Sequence, residues 1–210
     1  MVPVKPAHAA RAVHTPARFR ELHAESLASP ATFWAREAGS LTWFAPWRTV
    51  VEGEGAEAAW FVGGKLNASY DCVDRHPQDR VALIWARNEP GQYQRITYGQ
   101  LKERVGRVAN LLRAQGVRKG DRVCIYLPMI PELPIFMLAC ARIGAVHSVV
   151  FAGFSAQALR DRIADAGARV LVTADEGLRG PKHIPLKHIA DRSEEHTSEL
   201  QSHSDLVCRL

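Results

Sequence analysis

The chain has 210 residues, of which 47% are hydrophobic, 8% aromatic and 23% charged, a composition typical of a globular protein. This length allows one sizeable core, or one domain with part of another. The apolar runs are broken by Pro131, Pro134 and Arg142 before they reach the roughly 20 residues that cross a bilayer, so we expect no membrane association. The formal net charge is +5, and because residues 192–210 contribute −2, the rest of the chain carries +7.

This charge favours a polyanionic partner. No basic run is interleaved with aromatic residues, so phosphorylated small molecules are favoured over nucleic acid. The cysteines, Cys72, Cys124, Cys140 and Cys208, are widely spaced without a C-x-x-C pair, and the histidines lack ligand spacing. The sequence therefore indicates neither disulfides nor a metal site, and we expect a cytoplasmic location.

Residues 1–20 contain four basic residues, three prolines and no acid, which predicts a disordered leader, with a transit peptide as the alternative. Residues 21–78 form a tryptophan-rich region of short helices, in which Ser29-Pro30 is a helix-start signal. We interpret residues 41–47 as a loop held by aromatic side chains. Gly63-Gly64-Lys65 lacks the G-x-x-x-x-G-K frame of a phosphate loop, which favours a plain turn.

Residues 79–191 begin with a predicted hairpin, whose strands cover 80–85 and 92–97 around turn-forming residues. Thr97 and Gln100 have the spacing of a capping box, which predicts a helix that ends near Gly116.

Three strands are then predicted at 122–127, 145–151 and 169–173. They alternate with an apolar helix over 132–143 and a helix over 156–166 that Ser155 caps. Strands that alternate with helices in this way predict an α/β fold with a parallel sheet of βαβαβ units and right-handed crossovers. There is no G-x-G-x-x-G motif, so a dinucleotide site is not indicated.

In open α/β sheets, ligands bind beyond the carboxyl ends of the strands. One such end is Phe151-Ala152-Gly153, and the other is a Gly/Pro loop over 175–183 that carries Arg179 and Lys182. The first segment either forms one wall of a ligand site or is an ordinary connection between a strand and a helix. The second segment is either a phosphate site or a solvated charged loop. No nucleophile triad, metal cluster or pair of carboxylates in a cleft is visible, so we assign no catalytic residue to the chain.

Four longer stretches carry a family resemblance: WFVGGKLNASYDCVDRH (60–76), ITYGQLKERVGRVANLL (96–112), IYLPMIPELPIFMLACARIGAVHSVVFAGFS (125–155) and TADEGLRGPKHIPLK (173–187). Together they resemble the N-terminal part of the acetyl-coenzyme A synthetases, the AMP-forming acetate–CoA ligases of the adenylate-forming superfamily. Residues 33–47 resemble the extra N-terminal region of acetyl- and propionyl-CoA synthetases.

The resemblance implies the first, incomplete part of an adenylate-forming domain over 79–191. It also implies acetate, ATP, Mg²⁺ and CoA as substrates and cofactors of the longer enzyme, which forms acetyl-adenylate and then transfers the acetyl group to the CoA thiol. The family positions that contact CoA correspond to Phe151, Ala152, Gly153, Arg179, Gly180, Pro181 and Lys182. Three of them depart from the common pattern: Ala152 replaces a glycine, Pro181 a small residue, and Lys182 an arginine.

The resemblance ends at Asp191, and residues 192–202 (RSEEHTSELQS) resemble the translation of a sequencing adapter. We therefore predict that residues 192–210 are a non-native tail, with a genuine polar helix as the alternative. Because the parts of the enzyme that hold its catalytic residues are absent, we expect this chain alone to be inactive. Two alternative functions stay open: a ligase for propionate or another short acyl chain, and a non-catalytic module that binds CoA or a nucleotide.

Overall fold

A computed structural model describes residues 15–195 of the chain. It confirms an α/β protein with a parallel sheet. The chain divides into two compact units, Met1–Leu66 and Asn67–Leu210, so their boundary lies before the predicted one at 78/79. Within the described range, no helix has both the length and the apolar character needed to cross a membrane.

The first unit begins with two helices and continues with two antiparallel strand pairs. The helices are α1 (Pro16–Ala28) and α2 (Pro30–Ala38), and the strands are β1 (Trp43–Ala45), β2 (Thr49–Glu52), β3 (Ala59–Val62) and β4 (Lys65–Leu66). β1 pairs with β4, and β2 pairs with β3. A single 3₁₀ turn at Gly55–Glu57 lies between β2 and β3.

The prediction of a disordered leader is wrong for residues 16–20, because they belong to helix α1. Residues 1–14 of the predicted leader lie outside the described range. The Thr15 side chain accepts a hydrogen bond from the Arg18 backbone at 3.1 Å, and Pro16 occupies the first helical turn, where its missing N–H costs nothing. These two local signals start the helix earlier than the overall composition suggests.

The predicted loop over 41–47 is also wrong in part, because it contains β1. The Trp43 ring packs against Trp47 and Phe61, with centroids 4.8 and 5.4 Å away. Gly64 makes this packing possible, since a Cβ there would lie 2.5 Å from the Trp43 ring. The plain turn at 63–65 is confirmed by a hydrogen bond from Gly64 N to Phe61 O of 2.9 Å.

The second unit holds the main α/β layers. After a π-helical turn at Tyr70–Asp74 come the predicted hairpin, β5 (Val81–Ala86) and β6 (Tyr93–Thr97), and then α3 (Tyr98–Ala114). The alternating elements that follow are β7 (Arg122–Tyr126), α4 (Glu132–Ile143), β8 (Val146–Val149), α5 (Ala156–Ala166) and β9 (Val170–Thr173). The described part ends with β10 (Gly177–Arg179), β11 (Lys182–Ile184) and α6 (Leu186–Glu195).

The predicted helix starts in this unit are confirmed. Thr97 Oγ1 accepts from Gln100 N at 3.3 Å while Gln100 Oε1 accepts from Thr97 N at 3.0 Å, which is a complete capping box. Ser155 Oγ accepts from Ala158 N at 3.3 Å at the start of α5.

The central strand β7 has a core on each of its faces. Val123 and Ile125 point into one cluster with α3 and α4, whereas Cys124 and Tyr126 point into a second cluster with α5 and α6. Strands β8 and β9 lie on either side of β7 and run parallel to it. The segments that leave the carboxyl ends of β8 and β9 therefore emerge at the same edge, on opposite sides of β7.

The position of the unit boundary follows from Asn67. Its side-chain amide donates to the backbone carbonyls of Ala141 and Arg142, at 3.2 and 3.1 Å, at the end of α4. Asp74 pairs with Arg142 and lies 3.3 Å from the Lys102 ammonium group, so the π-helical turn belongs to the second unit.

Two differences concern the end of the described range. The segment 175–183, predicted as a loop, contains the β10–β11 hairpin, because a two-residue turn at Gly180-Pro181 lets the flanking residues pair. Helix α6 continues past Asp191 to Glu195, and Ser193 is buried with its hydroxyl donating to Ala190 O at 2.6 Å. The remaining predicted tail residues lie outside the described range.

Candidate functional site

The β10–β11 hairpin brings two cationic side chains together. Arg179 and Lys182 face each other across the turn in the strand register, so their side chains project from the same face. Gly180 has a φ of +59°, a left-handed conformation that glycine adopts without strain, and the ring of Pro181 fixes the next φ at a negative value. This combination matches a type II′ turn, which is favoured in two-residue hairpins.

Neither cation forms an ion pair with any residue in the described range. Like charges directly opposite each other in a hairpin repel, and a bound anion would remove that repulsion. On the other face of the same hairpin, His183 Nδ1 lies 2.9 Å from Glu176 Oε2. In the described part of the chain, the face that carries Arg179 and Lys182 is therefore not the face that carries the His183–Glu176 contact.

An exposed aromatic ring lies beside the hairpin. Phe151 follows β8 and is 57% exposed, and the Arg179 guanidinium carbon lies 5.8 Å from its ring centroid. This distance is within the range of a cation–π contact. The two sequence-predicted segments, one after β8 and one after β9, are thus brought into contact, and we call Phe151, Arg179 and Lys182 the Phe–Arg surface.

Gly153 allows the Phe151 ring to lie where it does. A Cβ on Gly153 would be 2.5 Å from Phe151 Cε1, closer than side chains approach one another. Ala152, where the family pattern has a glycine, packs against the second core cluster. The extra methyl group of Ala152 is therefore accommodated by the protein interior.

Tyr126 holds the segment that carries Phe151. Its side chain is fully buried at the end of the central strand, and its hydroxyl donates a hydrogen bond to Phe154 O at 3.0 Å. Burial raises the pKa of the Tyr126 phenol, so the hydroxyl keeps the proton that it donates. The Phe154 ring packs edge-on against Phe151 at 5.8 Å, and the Arg162 guanidinium lies 4.4 Å from the Phe154 centroid.

The hairpin has its own supports. Asn88, in the turn between β5 and β6, donates to Gly180 O at 3.4 Å. Gly177 lies so close to Pro128 that a Cβ there would be 3.1 Å from the Pro128 Cβ.

These supporting residues were not predicted from the sequence. Tyr126 had one usable signal, a phenol at the end of an otherwise apolar strand, because a buried hydroxyl requires a hydrogen-bond partner. Asn88 had none, because an asparagine in a turn is ordinary turn chemistry.

The Phe–Arg surface presents two donors for phosphate oxygens beside an aromatic face, which suits a phosphorylated ligand with a planar ring. It holds no general acid, base or nucleophile. Burial raises the pKa of Cys124 and of Cys140 to about 11, so neither thiol is an active nucleophile near neutral pH. Residues 15–195 contain no group of three or more His, Cys, Asp or Glu side chains placed to hold a metal ion.

Two family models match this chain. Residues 19–72 match the model described as acetyl-coenzyme A synthetase N-terminus, and residues 70–208, more than half of the chain, match the model of AMP-binding enzymes. The chain belongs to the AMP-binding enzyme family. Among members of this kind, the acetyl-coenzyme A synthetase of Syntrophus aciditrophicus is 51% identical over 181 residues, which are 83% of this chain and 28% of that protein.

Two further relatives bear the same name. The acetyl-coenzyme A synthetase of Rubrobacter xylanophilus is 57% identical over 80% of this chain and 27% of its own length. That of Saccharophagus degradans is 49% identical over 96% of this chain and 32% of its own length. The predicted resemblance to acetyl-coenzyme A synthetases is thereby confirmed, and the chain spans less than a third of the length of each of these AMP-binding relatives.

Proposed function

We propose that this chain is the N-terminal part of an acetate–CoA ligase, which uses ATP to form acetyl-adenylate and then transfers the acetyl group to CoA. Within it, the Phe–Arg surface binds the nucleotide part of CoA. The observation that carries the assignment of this surface is the 5.8 Å contact between the Arg179 guanidinium and the exposed Phe151 ring. The names of the relatives support the choice of acetate and CoA.

The chemistry of CoA fits these residues. Its nucleotide carries an adenine ring, a 3′-phosphate and a 5′-diphosphate, so it offers both a planar ring and several anionic oxygens. Arg179 provides a planar guanidinium that can bind phosphate oxygens in pairs, and Lys182 a compact charge beside it. Phe151 and Ala152-Gly153 form the wall of the site, while Gly180 and Pro181 set the turn between the two cations.

No ATP or Mg²⁺ ligand is assigned to residues of this chain; we propose that both bind to other parts of the longer enzyme. The chain alone then neither activates acetate nor makes acetyl-CoA. We propose a cytoplasmic location, which the two buried, unpaired thiols at Cys124 and Cys140 support because such thiols persist in reducing compartments.

The surface is tested by calorimetric titration of the 210-residue chain with CoA, dephospho-CoA and pantetheine. We expect CoA to bind, pantetheine not to, and Arg179→Gln and Lys182→Gln each to weaken CoA binding about tenfold, the usual value of a charge-assisted hydrogen bond. Arg80→Gln, which removes one exposed charge elsewhere, serves as the control and leaves affinity unchanged. Equal affinities for all three cation variants would contradict the assignment.

The ligase assignment has a separate test. Acetate-dependent ATP–pyrophosphate exchange is expected to be absent for this chain, and exchange would contradict the proposal that the chain alone is inactive. In the longer protein, the initial rates of acyl-CoA formation with acetate and with propionate compare the two candidate substrates. If the rate is faster with propionate, propionate becomes the assigned substrate, and the assignment of the CoA surface is unaffected.

For residues 192–210 we propose an origin outside the gene. The reversal of net charge and the loss of the strand–helix rhythm support this proposal. Because the family match runs through this segment to residue 208, the genomic DNA across codon 192 decides between the two interpretations. We expect the genomic DNA to encode different residues from codon 192 onward. Genomic DNA that encodes residues 192–210 as they stand here would contradict this origin.

A further inference from the structure

A second concentration of positive charge lies in a cleft of about 470 Å³ between α3 and α4. Its lining includes four basic residues and no acidic one: Arg113, Arg118, Lys119 and Arg142. Arg118 and Lys119 come just before β7, and Arg142 comes just before β8. The cleft is therefore at the amino-terminal edge of the parallel sheet, opposite the Phe–Arg surface.

Two of the four cations already have partners. Arg142 pairs with Asp74, and the Arg118 guanidinium donates to the carbonyls of Arg113 and Val117, at 3.0 and 3.2 Å, at the end of α3. Arg113 and Lys119 are exposed and form no ion pair with any residue that the structure describes. Of the four cations, Arg113 and Lys119 are therefore the two that are available to contact a ligand.

The local charge balance favours an anion. The carboxyl-terminal ends of α3 and α4 both face this region, and each contributes about half a negative charge. With Asp74 and Asp121 included, the four cations still leave a net charge of about +1 around the cleft. The carbonyls at the end of α3 therefore account for Arg118 and the ion pair with Asp74 for Arg142, but neither contact uses Arg113 or Lys119.

Gly106 is one of the residues that line the cleft. It lies within α3, where glycine costs about 1 kcal/mol relative to alanine. Its φ is not in the left-handed region, and a Cβ built on it meets no atom within 4 Å. Neither backbone conformation nor packing requires glycine here, and a larger residue would fill part of the open space that Gly106 lines.

We propose that this cleft binds a small anion with at least two negative charges, of the phosphate-ester or diphosphate class, through Arg113, Lys119 and the Asn110 amide. Its other lining residues argue against larger partners. No aromatic residue lines the cleft to stack on a base. Of its apolar lining residues, Ala109 and Val117 are buried and Ile143 is partly buried, so it offers little apolar surface to a membrane. This site does not depend on the CoA assignment.

The test is calorimetric titration of the full 210-residue chain with inorganic pyrophosphate near physiological ionic strength. We expect Arg113→Gln with Lys119→Gln to weaken binding about tenfold or more, because two charge-assisted hydrogen bonds are lost. Gly106→Met is expected to weaken it as well without any change of charge, and since methionine favours helices it should not unfold α3.

Two further double variants are compared. Arg80→Gln with Arg104→Gln removes two charges outside both sites and is the control, which we expect to bind pyrophosphate as the unsubstituted chain does. Arg179→Gln with Lys182→Gln removes the cations of the Phe–Arg surface, which can also bind phosphate oxygens, and we expect this variant to retain the site formed by Arg113 and Lys119. Absence of binding by the unsubstituted chain, an equal loss in every double variant, or loss only in the Arg179/Lys182 variant would each overturn the proposal.

Discussion

The Arg179 guanidinium lies 5.8 Å from the centroid of the Phe151 ring, although the two residues are 28 positions apart in the sequence. They meet because β8 and β9 flank β7 in a parallel sheet, so that the segments after both strands leave at one edge. The contact joins an aromatic face to a pair of cations.

Gly153→Ala should displace the Phe151 ring. The added Cβ would lie 2.5 Å from Cε1 of that ring, which must rotate away from Arg179. Because the ring is largely exposed, we expect the free energy of unfolding to change by less than about 1 kcal/mol. CoA affinity, measured by calorimetry, should fall several-fold. The unsubstituted chain is the reference, and an unchanged CoA affinity in Gly153→Ala would contradict the role given to the ring position.

Tyr126→Phe should destabilise the second unit by about 1–3 kcal/mol, because Phe154 O loses a buried hydrogen-bond donor. Urea denaturation measures this difference. Tyr93→Phe removes a hydroxyl from a ring that is 55% exposed and should change stability by less than about 0.5 kcal/mol. Equal midpoints for the two variants would show that the Tyr126 hydroxyl does not hold the segment.

Cys124 and Cys140 should resist alkylation in the folded chain. Their pKa of about 11 leaves about 0.1% thiolate at pH 8, and both side chains are buried, whereas Cys72 is exposed. Iodoacetamide labelling followed by peptide mass spectrometry should modify Cys72 before Cys124 and Cys140. Because the folded pKa exceeds the ordinary value of 9.0, stability is fully present below pH 9 and should fall as the pH rises to about 11. Stability that rises in this interval would contradict the burial of these thiols.

Gly64→Ala should destabilise the first unit. The new Cβ would lie 2.5 Å from the Trp43 ring and 2.9 Å from the backbone oxygen of Phe61, and a backbone atom cannot move away easily. We expect a loss of about 1–3 kcal/mol, measured by tryptophan fluorescence during urea denaturation. Gly106→Ala is the contrasting variant: its Cβ has open space and alanine favours the helix by about 1 kcal/mol, so its stability should not fall. A Gly64→Ala midpoint no lower than that of the unsubstituted chain would contradict the aromatic packing.

Local signals predicted two helices of the second unit residue for residue, although α6 was not predicted. The predicted ranges 132–143 and 156–166 coincide with α4 and α5, since a glycine at the end of each helix and the Ser155 cap of α5 act within a few residues. Strands β7 and β9 were also found, because continuous apolar runs mark strands that are buried on both faces.

Long-range contacts were not predictable in the same way. Strand β1 pairs with β4 some 20 positions later, and neither the Asn88–Gly180 nor the Tyr126–Phe154 hydrogen bond leaves a local pattern. For the candidate site, the resemblance supplied the residues, and the register between Arg179 and Lys182 supplied their common face. The support from Tyr126 became visible only with the structure.

The most direct test of the account is a double-mutant cycle for CoA binding with Phe151→Ala and Arg179→Gln. We predict that each single substitution weakens CoA binding about tenfold. Because the two residues contact each other, the double variant should lose less affinity than the product of the two single losses. If CoA binds all four proteins with the same affinity, the Phe–Arg surface is not the CoA site.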